Sequence, residues 1–349
     1  MRLLLIPIVL AVLLLIFAAV GISGSFDLAP SASTAGGVYR SADGGRTFEL
    51  RSDVPDDEEI SLDRGVVELK QVGQNTFFAA TASQGIFKST NGASSWELIF
   101  TGEVETTSFG VNPNDTNEVY AGAVFGNRAR IYKTVEGNAN WTEIYVSADT
   151  GTEIVSISVS QDNPEEVYAL VSNGVLLKSF NKGQDWVLGS DLKTLAVDLT
   201  VDPRDSDTVY VATEGSLYRS TDGGFSFEQL RPQLRSSAFT GAQLTSFAIN
   251  PNDSNELYVG SIGQMVRSRD GGETWEEINI LTPDARVGVR AIEVNPQNGN
   301  IVHYTAGSIF YTSRNRGESW NTAALSTSGI VREILIDSRN NDIIYIGVN

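Results

Sequence analysis

An eight-residue pattern, Ser-x-Asp-x-Gly-x-Ser/Thr-aromatic, recurs along this chain at nearly even spacing, and that recurrence restricts the fold more than any other feature. Ser41-Ala-Asp-Gly-Gly-Arg-Thr-Phe48, Ser220-Thr-Asp-Gly-Gly-Phe-Ser-Phe227 and Ser268-Arg-Asp-Gly-Gly-Glu-Thr-Trp275 fit it fully. Looser copies begin at Ser89, Thr134, Ser179 and Ser313, and all five tryptophans lie in these boxes. Successive copies start 48, 45, 45, 41, 48 and 45 residues apart. A period near 45 indicates a propeller or solenoid. The text between boxes repeats as well. Phe247-Ala-Ile-Asn-Pro-Asn-Asp-Ser-Asn-Glu-Leu-Tyr-Val-Gly260 parallels Leu199-Thr-Val-Asp-Pro-Arg-Asp-Ser-Asp-Thr-Val-Tyr-Val-Ala212, so each unit holds four short β runs.

The box has a structural task that needs no ligand. Its third residue, Asp43, Asn91, Glu136, Asn181, Asp222, Asp270 or Asn315, can accept hydrogen bonds from backbone N–H groups just ahead of it. Glycine supplies the positive φ of a tight turn, and the closing aromatic ring packs against the turn or the neighbouring unit. These seven residues are therefore expected to hold the turn between the third and fourth strands.

Aligned on the copy at 244–279, complete units cover residues 64–100, 105–145, 153–190, 194–229, 244–279 and 288–324. The remainders are complementary: 38–50 holds a third and fourth strand, and 331–348 a first and second. Pairing them makes a seventh unit and removes the open edges of the ring. The expected fold is an all-β, seven-bladed β-propeller of four-stranded antiparallel blades over residues 37–349.

Charge and composition narrow the function. Asp and Glu outnumber Lys and Arg 43 to 25, a net charge of −18, which disfavours a nucleic-acid partner. With no cysteine, disulfides, zinc-thiolate sites and cysteine nucleophiles are excluded. The one histidine, His303, sits in a β run and is read as a packed strand residue, so no Ser/His/Asp triad is assembled.

Residues 1–25 open with Arg2 and an uncharged, mostly apolar stretch, and read as a signal peptide or an amino-terminal transmembrane anchor. Ala18, Ala19, Gly21, Ser23 and Ser25 also suit a cleavage site, so both readings stand. The positive-inside bias exports the remainder. Residues 26–36 read as a flexible linker. The expected location is extracytoplasmic, with tethering to the membrane through the leader.

The boxes, the Asn-Pro-Asn-Asp turns and Val209-Tyr-Val-Ala-Thr-Glu-Gly-Ser-Leu-Tyr-Arg-Ser220 resemble the BNR or Asp-box propellers. Those include sialidases, sortilin-type receptors, xyloglucan-degrading glycoside hydrolases and photosystem II assembly factors. Within that group this chain lacks the sialidase Arg-Ile-Pro motif outside its leader, and it lacks the cysteines of the sortilin type. It also has one propeller where the xyloglucan-degrading enzymes place catalytic aspartates between two. Size and layout are most similar to the assembly factors, which implies an exported propeller that holds a protein partner.

Loops joining one blade to the next lie opposite the boxes. Residues 51–65 carry the acidic run Asp56-Asp-Glu-Glu59, and residues 231–243 carry Arg231 and Arg235. Arg290 and Arg332 each lie five residues before the end of an inner strand in adjacent blades, hence at one height near the channel. Together they could grip a carboxylate or an acidic segment. The competing reading pairs each with a neighbouring acid such as Glu293 or Glu333. A glycosidase would need two facing carboxylates, for which Glu68 and Asp198 on inner strands stand as placeholders. Asn114, Asn140 and Asn252 match the glycosylation pattern, although Asn114 and Asn252 belong to the repeated turn. No cofactor and no metal site is expected. The reading is a non-enzymatic protein-binding or assembly module, with a carbohydrate-active or glycan-binding propeller as the alternative.

Overall fold

The computed structural model describes residues 36–55, 60–101, 104–138, 140–230, 244–282 and 287–349. The expected leader and most of the linker, the acidic run 56–59, and both Arg231 and Arg235 lie outside the described residues. Seven four-stranded antiparallel sheets follow one another along the chain. Six are built from consecutive strands. The seventh joins Gly37–Ser41 and Glu49–Leu50 to Val331–Ile336 and Ile344–Val348, with Tyr39 opposite Ile346. The two chain remainders thus close the ring as the repeat arithmetic requires.

The second strand of a blade is apolar along its length because both of its faces meet neighbouring blades. Phe77–Thr81, Val167–Val171 and Ile344–Val348 are buried at every residue. Aromatic contacts cross the seams. Phe77 meets Tyr345 with ring centroids 4.6 Å apart, tying the first blade to the seventh, and Phe78 meets Phe109 at 6.2 Å, tying the first to the second.

The boxes make the turns expected of them. Ser268 Oγ donates to Asp270 Oδ1 at 2.8 Å and accepts the N–H groups of Asp270 and Gly272 at 3.2 and 2.8 Å. Asp270 in turn accepts Thr274 N–H at 2.8 Å and the Thr274 hydroxyl at 2.5 Å. Holding Thr274 in the turn delays the fourth strand to Glu276–Ile278, two residues later than the sequence suggests. Asn91 and Asn315 keep the accepting oxygen but reverse one bond, donating through Nδ2 to Ser95 and Ser319. Glu136, the least regular member, accepts instead from the Asn140 side chain.

Four boxes place a residue other than glycine in the left-handed region: Ala93 at φ 60°, Asn140 at 55°, Lys182 at 58° and Arg316 at 56°. Such a conformation costs roughly 1–2 kcal/mol. For the two cations the compensation is visible. Lys182 reaches back to buried Glu118 at 3.4 Å, and Arg316 to buried Glu256 at 3.8 Å, each across a blade seam. Glu118 also accepts from Tyr120 at 2.7 Å and Asn112 at 3.0 Å, and pairs with Lys133 at 3.0 Å. Burial pushes the Glu118 carboxyl up, but these bonds outweigh it and leave the group below its ordinary range.

Asp270→Ala removes three accepted hydrogen bonds from a charged group and should cost about 2–3 kcal/mol in chemical denaturation, while Asp270→Asn, which other boxes use, should cost far less. Equal stability of parent and alanine variant would contradict the structural role. The acid branch supplies a second check. Burial pushes Asp43 up, but bonds from Thr47, Ser41 and Arg46 N–H prevail and hold it at about 2; Asp222, bonded chiefly by Ser226, also lies at about 2. Their contribution is complete above the unfolded aspartate range and is lost as pH falls through about 2. An Asp43→Asn/Asp222→Asn variant should lose stability less steeply below pH 4 in thermal melts, and an unchanged slope would count against this linkage.

Candidate functional site at the channel mouth

Every inner strand carries a β-bulge within its first three residues. The register slips between Val66 and Glu68, Thr106 and Ser108, Ile154 and Ser156, and Ala196 and Asp198. It slips likewise between Leu244 and Ser246, Val289 and Ala291, and Val331 and Glu333. A bulge leaves one residue unpaired and re-aims its side chain. The seven bulged residues line a single cavity of about 230 Å³ at the end of the ring where inner strands begin. Five are valine or threonine. The other two are Arg290 and Arg332, in adjacent blades and both exposed.

The structure therefore brings the two expected arginines to equivalent positions at the channel mouth. Neither makes an ion pair or hydrogen bond with any described residue, so the alternative pairing with Glu293 or Glu333 is not what the side chains do. Arg290 and Arg332 instead both line the cavity with their side chains exposed.

Beneath the arginines lies a layer of acids. Glu68 is committed to structure: it pairs with Lys70 at 2.6 Å and accepts Phe109 N–H at 2.8 Å. Lys70 also donates to the carbonyls of Phe109 and Ile157 at 2.6 and 3.2 Å, linking three blades. Asp198 accepts Leu199 N–H at 2.7 Å. It keeps contact with solvent along the channel but lies deep within the ring, and that depth, opposed by the Leu199 bond and reinforced by the Glu68 charge, raises it to about 6. Burial raises Glu293 to about 8, and burial together with Asp198 and Glu68 raises Glu333 well above its ordinary range. At neutral pH Glu293 is thus favoured as a neutral acid.

Sequence reasoning found Glu68 and Asp198 but treated Glu293 and Glu333 only as partners for arginine. A signal was available, because Glu68, Asp198 and Glu333 share one repeat position directly after the bulge. His303 also has a place in the repeat. Six blades pair an aromatic with a cation across strands, as in Tyr258 with Arg267 and Tyr168 with Lys178; in the sixth blade the pair is His303 with Thr312. His303 is 2% exposed, its Nδ1 lies 3.0 Å from Thr312 Oγ1, and burial with the Arg314 charge lowers it to about 3. A neutral imidazole packed between strands cannot serve the channel as a base. Among the described residues, no group of three or more His, Cys, Asp or Glu is placed to hold a metal ion.

The raised carboxyl gives a pH prediction. Glu293 stabilises the fold fully below the unfolded glutamate value and loses that contribution as pH rises through about 8. Glu293→Gln should flatten the fall in melting temperature between pH 5 and pH 9; a variant that tracks the parent would show that Glu293 is ionised throughout.

Residues 188–349 match the family described as Photosynthesis system II assembly factor YCF48. No curated protein matches the sequence. Among solved structures, YCF48 bound to D1 peptide is 13% identical, covering 82% of this chain and 92% of that one with a TM-score of 0.65. YCF48 from Cyanidioschyzon merolae is 12% identical, covering 82% and 96%, with a TM-score of 0.64. An ancestral GH74 enzyme is 16% identical with a TM-score of 0.60; the match covers 83% of this chain but 40% of that one. At such identities the likeness is one of fold. The chain is a seven-bladed propeller of four-stranded antiparallel blades, and its carboxy-terminal residues 188–349 match the photosystem II assembly factor family.

Proposed function

We propose that this propeller is a non-enzymatic module that holds a segment of a protein partner at its channel mouth, in the assembly of a larger complex. The observation that carries the reading is the pair of exposed arginines on adjacent bulges, paired with no described residue and set near Glu293 and Glu333, whose carboxyls burial raises. Two guanidinium groups on rigid inner strands suit a carboxylate or an acidic stretch of chain, since Arg presents a preorganised fork of donors. The likeness to a YCF48 structure that contains a D1 peptide supports a peptide as the kind of ligand. The partner of this chain is further read as part of a membrane complex met outside the cytoplasm, with the leader at 1–25 delivering or tethering the propeller there.

A carbohydrate-active role has one observation in its favour: Asp198, at about 6, lies in the range useful to a general acid. Against it, Phe247 is the one aromatic ring that the described residues offer to the cavity lining, where a glycan groove would present several.

The test is cross-linked recovery of partners from native membranes with the full-length parent and an Arg290→Ala/Arg332→Ala variant of equal melting temperature. A defined polypeptide recovered by the parent and reduced at least about tenfold with the variant is the expected result. Equal recovery by both would reject the mouth as the binding site.

A further inference from the structure

Two adjacent boxes present a phenylalanine to solvent where no other box has an aromatic residue. Phe180 is the second residue of its box, a place held by Ala42, Thr90, Val135, Thr221, Arg269 and Arg314 elsewhere. Phe225 is the sixth residue of the next box, a place held by Arg46, Ser94, Ala139, Gln184, Glu273 and Glu318 elsewhere. The turn therefore has no need of an aromatic ring at either position. The rings are 48% and 47% exposed, their centroids lie 6.4 Å apart, and their planes are 11° from parallel.

Lys178 fixes them from within. Its Nζ lies 4.8 Å from the Phe180 centroid and 5.7 Å from that of Phe225, and it pairs with Glu166 at 3.0 Å. Its side chain is 4% exposed, so the cation is used internally and the outer faces of the rings remain open. Aromatic rings held in place before binding lose little rotamer freedom on contact, which is the property of an interface anchor.

The surroundings specify what would sit there. The strand-connecting turns bonded to these two boxes are acidic: Lys182 N–H donates to Glu165 O and Gly223 N–H to Asp207 O, both at 2.8 Å. Asp162, Glu165 and Asp207 are exposed and form no ion pair with a described residue. The nearby cations Lys178 and Lys182 are already paired, with Glu166 and Glu118. An apolar ledge with an unneutralised negative rim complements a chain that is apolar at its centre and basic at its edges.

We propose that the Phe180 and Phe225 ledge docks a basic, apolar-anchored segment of a partner protein. The surface is distinct from the mouth. Box turns are bonded to the turns where inner strands end, as Arg316 N–H is to Asn300 O at 2.9 Å, whereas Arg290 and Arg332 stand where inner strands begin. The two faces accordingly select opposite chemistry, acidic at the mouth and basic at the boxes.

Random dodecapeptides displayed on phage would be selected on the full chain, and the enriched sequences synthesised and measured by fluorescence polarisation. Expected winners combine Lys or Arg with Leu, Phe or Trp and bind Arg290→Ala/Arg332→Ala as tightly as the parent. Phe180→Ser/Phe225→Ser should weaken them about tenfold or more. Asp162→Lys/Glu165→Lys, which alters only exposed side chains, should weaken them severalfold, and added salt should do the same to the parent. The charge-reversal arm carries the test if the serine variant fails to fold. Acidic or uncharged winners, winners indifferent to both variants, or no winners would overturn the proposal.

Discussion

One hydrogen bond, made seven times, sets the geometry on which the propeller depends. In every box the fourth residue donates its N–H to a carbonyl in the turn joining the first two strands of the same blade: Gly44 to Asp342, Gly92 to Asn75, Gly137 to Asn117, Lys182 to Glu165, Gly223 to Asp207, Gly271 to Asn255 and Arg316 to Asn300. All seven lie between 2.8 and 3.0 Å. The donating residue must adopt a positive φ to point its N–H that way, which is why glycine stands there in five boxes. With the Ser hydroxyl and the Asp or Asn oxygen satisfying the remaining N–H groups, the box is closed upon itself. It has little left to offer a ligand, and binding falls to residues added around it.

The fold was legible because the repeat states it directly. Box spacing gives the blades, and the mismatch between the two ends gives the closing one. What could not be read is whatever depends on contact between repeats. Lys182 and Arg316 stand at a glycine position, and sequence alone gives no reason for them; the reason lies in Glu118 and Glu256, roughly 60 residues earlier in the chain, buried across a blade seam. The mouth was half legible. Counting from strand ends put Arg290 and Arg332 at one height, but the bulge that turns them toward the channel is a one-residue slip in pairing and leaves no mark in composition.

Electrostatics also changes between sequence and fold. A chain of net charge −18 would seem a poor host for an acidic partner. Burial alters that locally, since it raises the carboxyls of Glu293 and Glu333 and Glu68 is matched by Lys70. The two arginines at the mouth pair with no described residue, while acids that form no ion pair with a described residue collect on the opposite face around Phe180 and Phe225. A protein with a strong overall charge can in this way present faces of contrasting preference.

The central claim is that the mouth grips a polypeptide. A photoreactive amino acid in place of Val197, a bulged residue of the same ring that is 42% exposed, would report the occupant directly on illumination in native membranes. The account predicts one discrete cross-linked polypeptide, and an acidic or carboxy-terminal stretch at the cross-link by mass spectrometry. Adducts that carry glycan alone, or no adduct while the same probe on the box face captures protein, would contradict it.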